Sequence, residues 1–146
     1  KKEPKPKPLP EIEETILVLD RDFHVPDDTT YKYAEASGDR NKIHIDEEYA
    51  KKAGLEGIIV HGLCTMAMTV EQITTHYFRG LPRDIKDVTL RFSSPVWPGD
   101  ELTVKGWLED DNAQTLSFDV NRTNSNTKVI KNGRLNFKPA EVLIES

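Results

Sequence analysis

The stretch that decides the fold is "GLCTMAMTVEQITTHYF", residues 62–78. Apolar residues recur in it at i, i+3 and i+4 spacing, which is typical of an amphipathic helix. Its first turn is apolar all round, which indicates burial on several sides. We therefore predict a long helix here, and its expected core-facing residues are Leu63, Met66, Ala67, Val70, Ile73 and Tyr77.

The segments on either side of this helix differ in character. Residues 85–96, 100–110, 113–123 and 127–138 are four strand-like stretches separated by turn-forming Pro, Gly, Asp and Asn. Upstream, 13–21 favours a strand, 25–39 a helix that ends near Gly38, and 46–53 a short helix with Asp46 as N-cap and Gly54 after its end. This order predicts an α+β fold in which an antiparallel sheet wraps around one long central helix.

Composition limits the classes of function. A chain of 146 residues with 31% charged residues and a net charge of -5 fits one domain and argues against general nucleic-acid binding. The charge leaves room for an anionic ligand such as a coenzyme A ester. No apolar run approaches the length of about 18 residues expected of a spanning helix, so we expect no membrane insertion. The single cysteine, Cys64, excludes an intrachain disulfide, and we expect it to be buried.

The first eleven residues, "KKEPKPKPLPE", form a Lys/Pro-rich segment that favours extended conformations and cannot pack a core. We interpret 1–11 as a tail or interdomain linker and 12–146 as a single domain. This interpretation indicates that the chain was cut from, or pairs with, something larger.

The chemistry is concentrated in "SGDRNKIHI", residues 37–45. Asp39 can act as a base and His44 can exchange protons near neutral pH, so the two could hold one water between them. Asn41 could orient a side chain or a water. The peptide N–H of Gly62 opens the long helix, where unpaired donors favour negative charge. In an isolated Asp-Asn-His loop, such side chains more often only form turns and cap helices. The loop residues by themselves leave this alternative open.

Three blocks in the right order resemble one known family. "YAEASGDRNKIHID", "AKKAGLEGIIVHGLCTMAM" and "RFSSPVWPGDELTV" are similar to the signatures of the MaoC-like (R)-specific enoyl-CoA hydratases, also called type-2 enoyl-CoA hydratases. The similarity covers about residues 29–137. It implies a hot-dog fold and an enzyme that interconverts trans-2-enoyl and (3R)-3-hydroxyacyl thioesters of coenzyme A or of acyl-carrier protein.

The resemblance also implies roles for individual residues. Asp39 and His44 would be the acid/base pair on one water, the Gly62 amide would be the oxyanion donor, and Asn41 would support the pair. Phe92 would line the acyl or pantetheine site. The loop beside the thioester would supply further substrate contacts, so the expected substrate-binding residues are Asp39, Arg40, Asn41, Lys42, Ile43, His44, Gly62 and Phe92. No cofactor and no metal are expected.

One position departs from the family pattern. The family commonly has proline after the asparagine, where this chain has Lys42. Either the loop is less rigid, or Lys42 helps to hold an anionic ligand. His61, just before Gly62, is interpreted as mainly structural, through hydrogen bonds that shape the start of the helix.

Two rival functions and the assembly remain open at this stage. The chain could be a non-catalytic subunit that binds acyl thioesters, or an acyl-CoA thioesterase on the same fold. A single sheet of this kind leaves an apolar edge and face uncovered, so we expect a homodimer or pairing with a second hot-dog half. The expected location is cytoplasmic, or peroxisomal if the chain is part of a larger eukaryotic enzyme.

Overall fold

The computed structural model describes residues 16–80, 85–109 and 114–138. Within these ranges there are five strands and three helices. The strands are β1 (Leu17–His24), β2 (Ile85–Phe92), β3 (Glu101–Leu108), β4 (Thr115–Arg122) and β5 (Lys128–Phe137). The helices are α1 (Thr29–Ser37), α2 (Glu47–Lys52) and α3 (Gly62–Gln72). A 3₁₀ turn covers Lys42–His44, and a π turn, Ile73–Tyr77, continues α3.

The five strands form one antiparallel sheet in the order β1-β3-β4-β5-β2. The predicted α+β order, the long helix and the four strands after it are confirmed. The strand predicted at 13–21 is found at Leu17–His24. Its predicted first residues and the 1–11 segment lie outside the described residues.

The core lies between one face of the sheet and α3. Along β3 and β4 buried apolar side chains alternate with more exposed ones, as the two-residue period of a strand requires. The helical side of the core comes from Cys64, Ile73 and Phe78, which are all at most 7% exposed. The sheet side includes Leu102, Val104, Leu116, Phe118, Val120, Ile130 and Leu135.

Local signals placed the end of α1 and both ends of α2 correctly, whereas α1 begins at Thr29, later than the predicted start at residue 25. Asp46 caps α2, since its side chain accepts a hydrogen bond from the Tyr49 N–H at 3.1 Å. Gly38 ends α1 with φ of 78°, a left-handed conformation that glycine adopts at little cost. Among the described residues, no helix is long and apolar enough to cross a membrane.

The prediction for the buried face of α3 was partly wrong. Ile73 is buried and Tyr77 packs against the core, but Leu63 is 60% exposed and Ala67 is exposed. Cys64, Thr65 and Thr69 are buried in their place. Threonine can enter a helical interface because its hydroxyl bonds to its own helix, as Thr69 Oγ1 does to the Thr65 carbonyl at 2.8 Å. Leu63 and Ala67, in the first half of the predicted apolar line, therefore face outward in the single chain.

Candidate active site

The loop after α1 is held in shape by its own polar side chains. The Asn41 N–H donates to Asp39 Oδ1 at 3.2 Å, and the Ile43 N–H donates to Asn41 Oδ1 at 3.3 Å. Asn41 thereby caps the 3₁₀ turn that ends at His44. The turn and the cap expected of these residues are therefore present. In this loop a carboxylate oxygen of Asp39 lies within 4.8 Å of a ring nitrogen of His44.

His44 has a fixed tautomer. The ring is 8% exposed, and its Nδ1 lies 2.7 Å from the Ile59 carbonyl oxygen. A carbonyl only accepts hydrogen bonds, so Nδ1 carries the proton. In the neutral ring this leaves the Nε2 lone pair available as a base or as a hydrogen-bond acceptor.

His61 packs directly on His44. The two ring centroids are 3.8 Å apart with 22° between the planes, and the Tyr33 ring lies 4.7 Å from His61 on a tilted plane. His61 Nε2 donates to the Asp39 carbonyl at 3.0 Å. Burial lowers the pKa of His61, and this effect outweighs the opposing influence of the bond to Asp39. His61 thus ties α3 to the polar loop.

Asp39, His44 and His61 form a cluster in which one ligand-type atom of each residue lies within 4.8 Å of those of the other two. Imidazole and carboxylate could in principle bind a transition metal. A metal ion, however, needs ring lone pairs that converge on one point about 2.0–2.1 Å away. The lone pair of an imidazole nitrogen lies in the plane of its ring, and two ring planes only 22° from parallel, with centroids 3.8 Å apart, do not meet at a point that close to both rings. Hydrogen bonds tolerate more bending, so this geometry suits a water.

The Gly62 N–H opens α3 beside this cluster. Neither a side-chain cap nor, among the described residues, a main-chain carbonyl accepts a hydrogen bond from it. A first-turn N–H at the positive end of a helix favours an oxygen that carries negative charge.

A cavity of about 400 Å³ adjoins His44 and Gly62. Its lining is mainly apolar and is supplied by α3, β5, the end of β2 and the segment after it. The remaining described lining residues are Ile59, Val60, Thr65, Phe92, Ser93, Ser94, Pro95, Val96 and Val129. An apolar cavity that reaches a polar cluster at one end is the usual form of a site for a largely hydrocarbon ligand.

Two lining residues stand close to the helix start. The Phe92 ring contacts Gly62: a Cβ on that glycine would lie 3.0 Å from two of its ring atoms. Thr65 is 2% exposed, and its hydroxyl has no hydrogen-bond partner within the described protein. A buried hydroxyl of this kind is ready to bond to a ligand.

The predicted site residues fall into two groups. Asp39, His44, Gly62 and Phe92 lie at the cluster or line the cavity. The other four, Arg40, Asn41, Lys42 and Ile43, are not among the described residues that line it. Arg40 reaches Glu35 at 3.4 Å, and Lys42 Nζ lies 5.7 Å from the centre of the Tyr49 ring. Their contacts with substrate stay predictions.

The sequence-based set omitted His61, Thr65, Val129 and the walls at 59–60 and 93–96. His61 was interpreted as shaping the helix start, whereas its hydrogen bond goes to the loop 22 residues away. Its polarity within an apolar run was the only signal available. Val129 gave none, because its place in the wall depends on the register of β5 with β2 and β4.

A model of the MaoC like domain matches residues 2–130 of this chain. The peroxisomal enoyl-CoA hydratase 2 of Arabidopsis thaliana is 41% identical over 73 residues, which are 50% of this chain and 24% of that protein. The peroxisomal multifunctional enzyme type 2 of Drosophila melanogaster is 34% identical over 110 residues, 75% of this chain and 17% of that protein. The chain therefore spans a quarter or less of these two relatives.

The fold has a counterpart of the same size among solved structures. The unliganded R-hydratase PhaJ1 of Pseudomonas aeruginosa superposes with a TM-score of 0.70 at 24% identity, and the match covers 93% of both chains. This similarity concerns the fold, an antiparallel sheet with a long helix packed on it.

Proposed function

Since this chain belongs to the family of MaoC-like domains, we propose that it is a hydro-lyase that interconverts trans-2-enoyl thioesters and (3R)-3-hydroxyacyl thioesters. The hot-dog fold of the family agrees with the sheet and helix described above. The acyl carrier would be coenzyme A, or alternatively acyl-carrier protein. The observation that carries the proposal is the proximity of Asp39 and His44, within 4.8 Å, beside a Gly62 N–H that has no acceptor among the described residues.

The reaction needs one water and no further reactant. A water between Asp39 and His44 donates its protons toward the carboxylate and toward Nε2 of the imidazole. As the water oxygen bonds to C3 of the enoyl group, one member of the pair takes a proton from it, and the pair returns that proton to C2. The OH and the H thus come from one water and reach the same face of the double bond. Acid–base catalysis of this kind typically contributes about 10²–10⁴ in rate.

The intermediate charge lies on the thioester oxygen. When C3 gains oxygen before C2 gains its proton, electron density moves to the carbonyl oxygen and forms an enolate. The Gly62 N–H is the donor we assign to this oxygen, with support from the positive end of α3. The apolar cavity would hold the acyl or pantetheine part of the substrate against Phe92.

The test is hydration of crotonyl-CoA and of longer enoyl-CoA esters, followed by loss of enoyl absorbance. Asp39→Asn and His44→Gln remove the two proton-handling groups with little change in shape, and we expect each to lower kcat by at least about 10². Glu48→Gln, an exposed charge change on α2, is the matched control and should keep wild-type rates. Wild-type rates in both site variants would refute the assignment.

The same samples separate the two rival functions. A thioesterase would release free thiol from saturated acyl-CoA, which a thiol reagent detects. A subunit that only binds thioesters would show affinity for acyl-CoA but neither hydration nor thiol release. We favour hydration because the acid, the base and the oxyanion donor are all retained.

We further propose that the chain pairs through the outer face of α3, with an identical copy or with a second hot-dog half. Leu63 and Phe92 are 60% and 48% exposed, and among the described strands β2 lies at an edge of the sheet and pairs with β5 alone. Exposed apolar residues beside an open sheet edge are typical of an interface. Leu63→Glu should shift the native mass to the monomer, whereas Tyr31→Glu, equally a change of an exposed apolar residue, should not. A monomeric wild type would contradict a homodimer and leave a second half as the partner.

We base the predicted cellular location on the relatives of the chain. The two relatives described above carry peroxisomal names, and both are much longer than this chain. We predict a peroxisomal location for a eukaryotic protein of that kind and a cytoplasmic one for a free-standing domain.

A further inference from the structure

His61 contacts both members of the proposed acid/base pair. The face of its ring stacks on the His44 ring, with centroids 3.8 Å apart and 22° between the planes. Its Nε2–H donates a hydrogen bond to the Asp39 carbonyl at 3.0 Å. The Gly62 N–H belongs to the peptide bond that joins His61 to Gly62, so one residue connects the pair to the oxyanion donor.

The pair lies on a short loop, whereas His61 lies at the start of a packed helix. Asp39 and Asn41 are exposed, and exposed loops move more than the elements that they connect. His61 is 2% exposed, and the Tyr33 ring lies 4.7 Å from it. A buried side chain packed in this way gives the loop a fixed point of contact.

The hydrogen bond of His44 alone does not fix the plane of its ring. The bond from Nδ1 to the Ile59 carbonyl holds one corner, and the ring could still turn about that bond. A second ring packed at 3.8 Å leaves no room for this rotation. The direction of the Nε2 lone pair, which the proposed reaction uses, therefore depends on the contact with His61.

His61 suits this position because it is neutral. Burial lowers its pKa, so the ring carries no charge near neutral pH. His44 becomes a cation whenever it takes a proton from the water, and a charged neighbour at this distance would oppose that step. A neutral ring holds the base in place without weakening it.

We propose that His61 is a positioning residue for the hydration reaction. Its ring face sets the plane of His44, and its N–H holds the main chain at Asp39, so both groups keep their places relative to the Gly62 N–H. His61 acts through these neighbours and is not among the described residues that line the cavity. The inference rests on the proposed function, and it adds the residue that connects the parts of that site.

Two substitutions separate the two contacts of His61. Phe keeps a flat ring against His44 but cannot donate to the Asp39 carbonyl. The amide nitrogen of Gln can replace Nε2 as that donor, but Gln brings no ring. Phe also removes a buried nitrogen, Nδ1, that has no partner among the described residues, so we expect it to be tolerated in the fold.

The first measurement is kcat for crotonyl-CoA. His61→Phe and His61→Gln should each lower it by about tenfold, and His61→Leu, which loses both contacts, by about 10², since a displacement of 1 Å near reacting atoms can cost that much. His24→Gln, an exposed histidine change, is the matched control and should keep the wild-type kcat. A wild-type kcat in either His61→Phe or His61→Gln would overturn the proposal.

A binding measurement separates positioning from damage to the cavity. Calorimetry gives the Kd of butyryl-CoA, a saturated ester that has no double bond to hydrate. Since His61 does not line the cavity, this Kd should stay within about twofold of the wild type in each His61 variant, while kcat falls. A loss of affinity as large as the loss of kcat would show general damage to the site and would overturn the proposal.

The ring of His44 can also be observed without turnover. Long-range proton–nitrogen NMR spectra near neutral pH distinguish the two tautomers of a neutral imidazole. The wild type and His61→Phe should show the proton on His44 Nδ1, as the bond to the Ile59 carbonyl requires. His61→Gln should show a mixture, because its His44 ring is free to turn away from Ile59. A single tautomer in His61→Gln would show that Ile59 alone holds the ring, and it would overturn the role of the ring face.

These measurements separate the inference from the proposed function. If the wild type does not hydrate crotonyl-CoA or longer enoyl-CoA esters, the hydratase assignment fails, and the tautomer of His44 in His61→Gln still decides whether His61 holds that ring. If the wild type is active and His61→Gln matches its kcat, the hydratase assignment stands and the positioning role is refuted.

Discussion

Gly62→Ala is the substitution that best tests the arrangement at the start of α3. The change keeps the peptide N–H that we assign to the thioester oxygen. The added methyl, however, would lie 3.0 Å from Phe92 Cε2 and Cζ and 3.3 Å from Cδ2. The variant therefore alters the wall of the cavity without removing the donor.

The contact distances set the size of the effect. Carbon atoms pack at about 3.5–4.0 Å, so the ring must move by about half an ångström. Phe92 is 48% exposed and can move. We expect a steric cost of about 1 kcal/mol, the low end for an added methyl group, offset by a gain of up to about 1 kcal/mol for alanine over glycine in a helix. The free energy of unfolding should stay within about 1 kcal/mol of the wild type.

Activity should respond more strongly than stability. A displacement of 1 Å near reacting atoms can cost about 10² in rate, so a displacement of half that size should lower kcat/KM for crotonyl-CoA by about tenfold. The assay is loss of enoyl absorbance beside a urea unfolding curve for each variant.

A double-mutant cycle identifies the cause. In a Phe92→Ala background the ring is absent, and Gly62→Ala should then change kcat/KM by less than about twofold. The same tenfold loss in both backgrounds would refute the reasoning, because the methyl would then act on the substrate and not through the ring. A large loss of stability in Gly62→Ala alone would show that Phe92 cannot move.

Three further predictions concern buried groups. Thr65→Val and Thr30→Val each remove a buried hydroxyl that has no hydrogen-bond partner within the described part of the chain. Both should raise the unfolding free energy by about 1 kcal/mol, and only Thr65→Val, in the cavity wall, should lower kcat/KM. Gly133→Ala should destabilise the fold by about 3 kcal/mol in thermal unfolding, because its Cβ would lie 2.5 Å from the Phe118 ring and 2.6 Å from the Phe118 carbonyl oxygen; a stability change under 1 kcal/mol would contradict that packing. Burial lowers the pKa of His61 below its ordinary value of 6.5, so as the pH falls the unfolded chain binds a proton at this histidine before the folded chain does. The contribution of His61 to stability is therefore fully present above pH 6.5 and is lost as the pH falls below it. Urea unfolding across this range should show a smaller loss in His61→Asn, and equal losses would contradict the prediction.

Much of the fold could be predicted from local chemistry. Periodicity gave the strands and the long helix, and the Asp46 cap and the left-handed Gly38 gave helix ends. The pairing of Asp39 with His44 was also within reach, since a short turn capped by Asn41 sets the geometry between them. In each case the atoms that determine the structure lie close together in the chain.

Features set by distant parts of the chain could not be predicted. The buried side of α3 depends on where the sheet lies, and the threonines that face the core look polar in the sequence. The position of His61 depends on a hydrogen bond across 22 residues. That Nε2 carries its proton, and that Nδ1 has no partner among the described residues, can be inferred only once the Asp39 carbonyl is known to accept the bond.

At Lys42, hydrogen bonds to the segment before α3 hold the loop in place of the rigid ring of a proline. The resemblance to the family implies a proline at this position, and the Lys42 N–H has no main-chain acceptor among the described residues, so a proline would remove no such hydrogen bond. The loop is nevertheless braced without it. The Ile59 N–H donates to the Ile43 carbonyl at 3.1 Å, and His44 Nδ1 donates to the Ile59 carbonyl at 2.7 Å. These reciprocal bonds hold the loop to the segment before α3 and at the same time fix the tautomer of His44. The rigidity of the loop and the tautomer of His44 therefore have one cause, and a change that moved Ile59 would disturb both together.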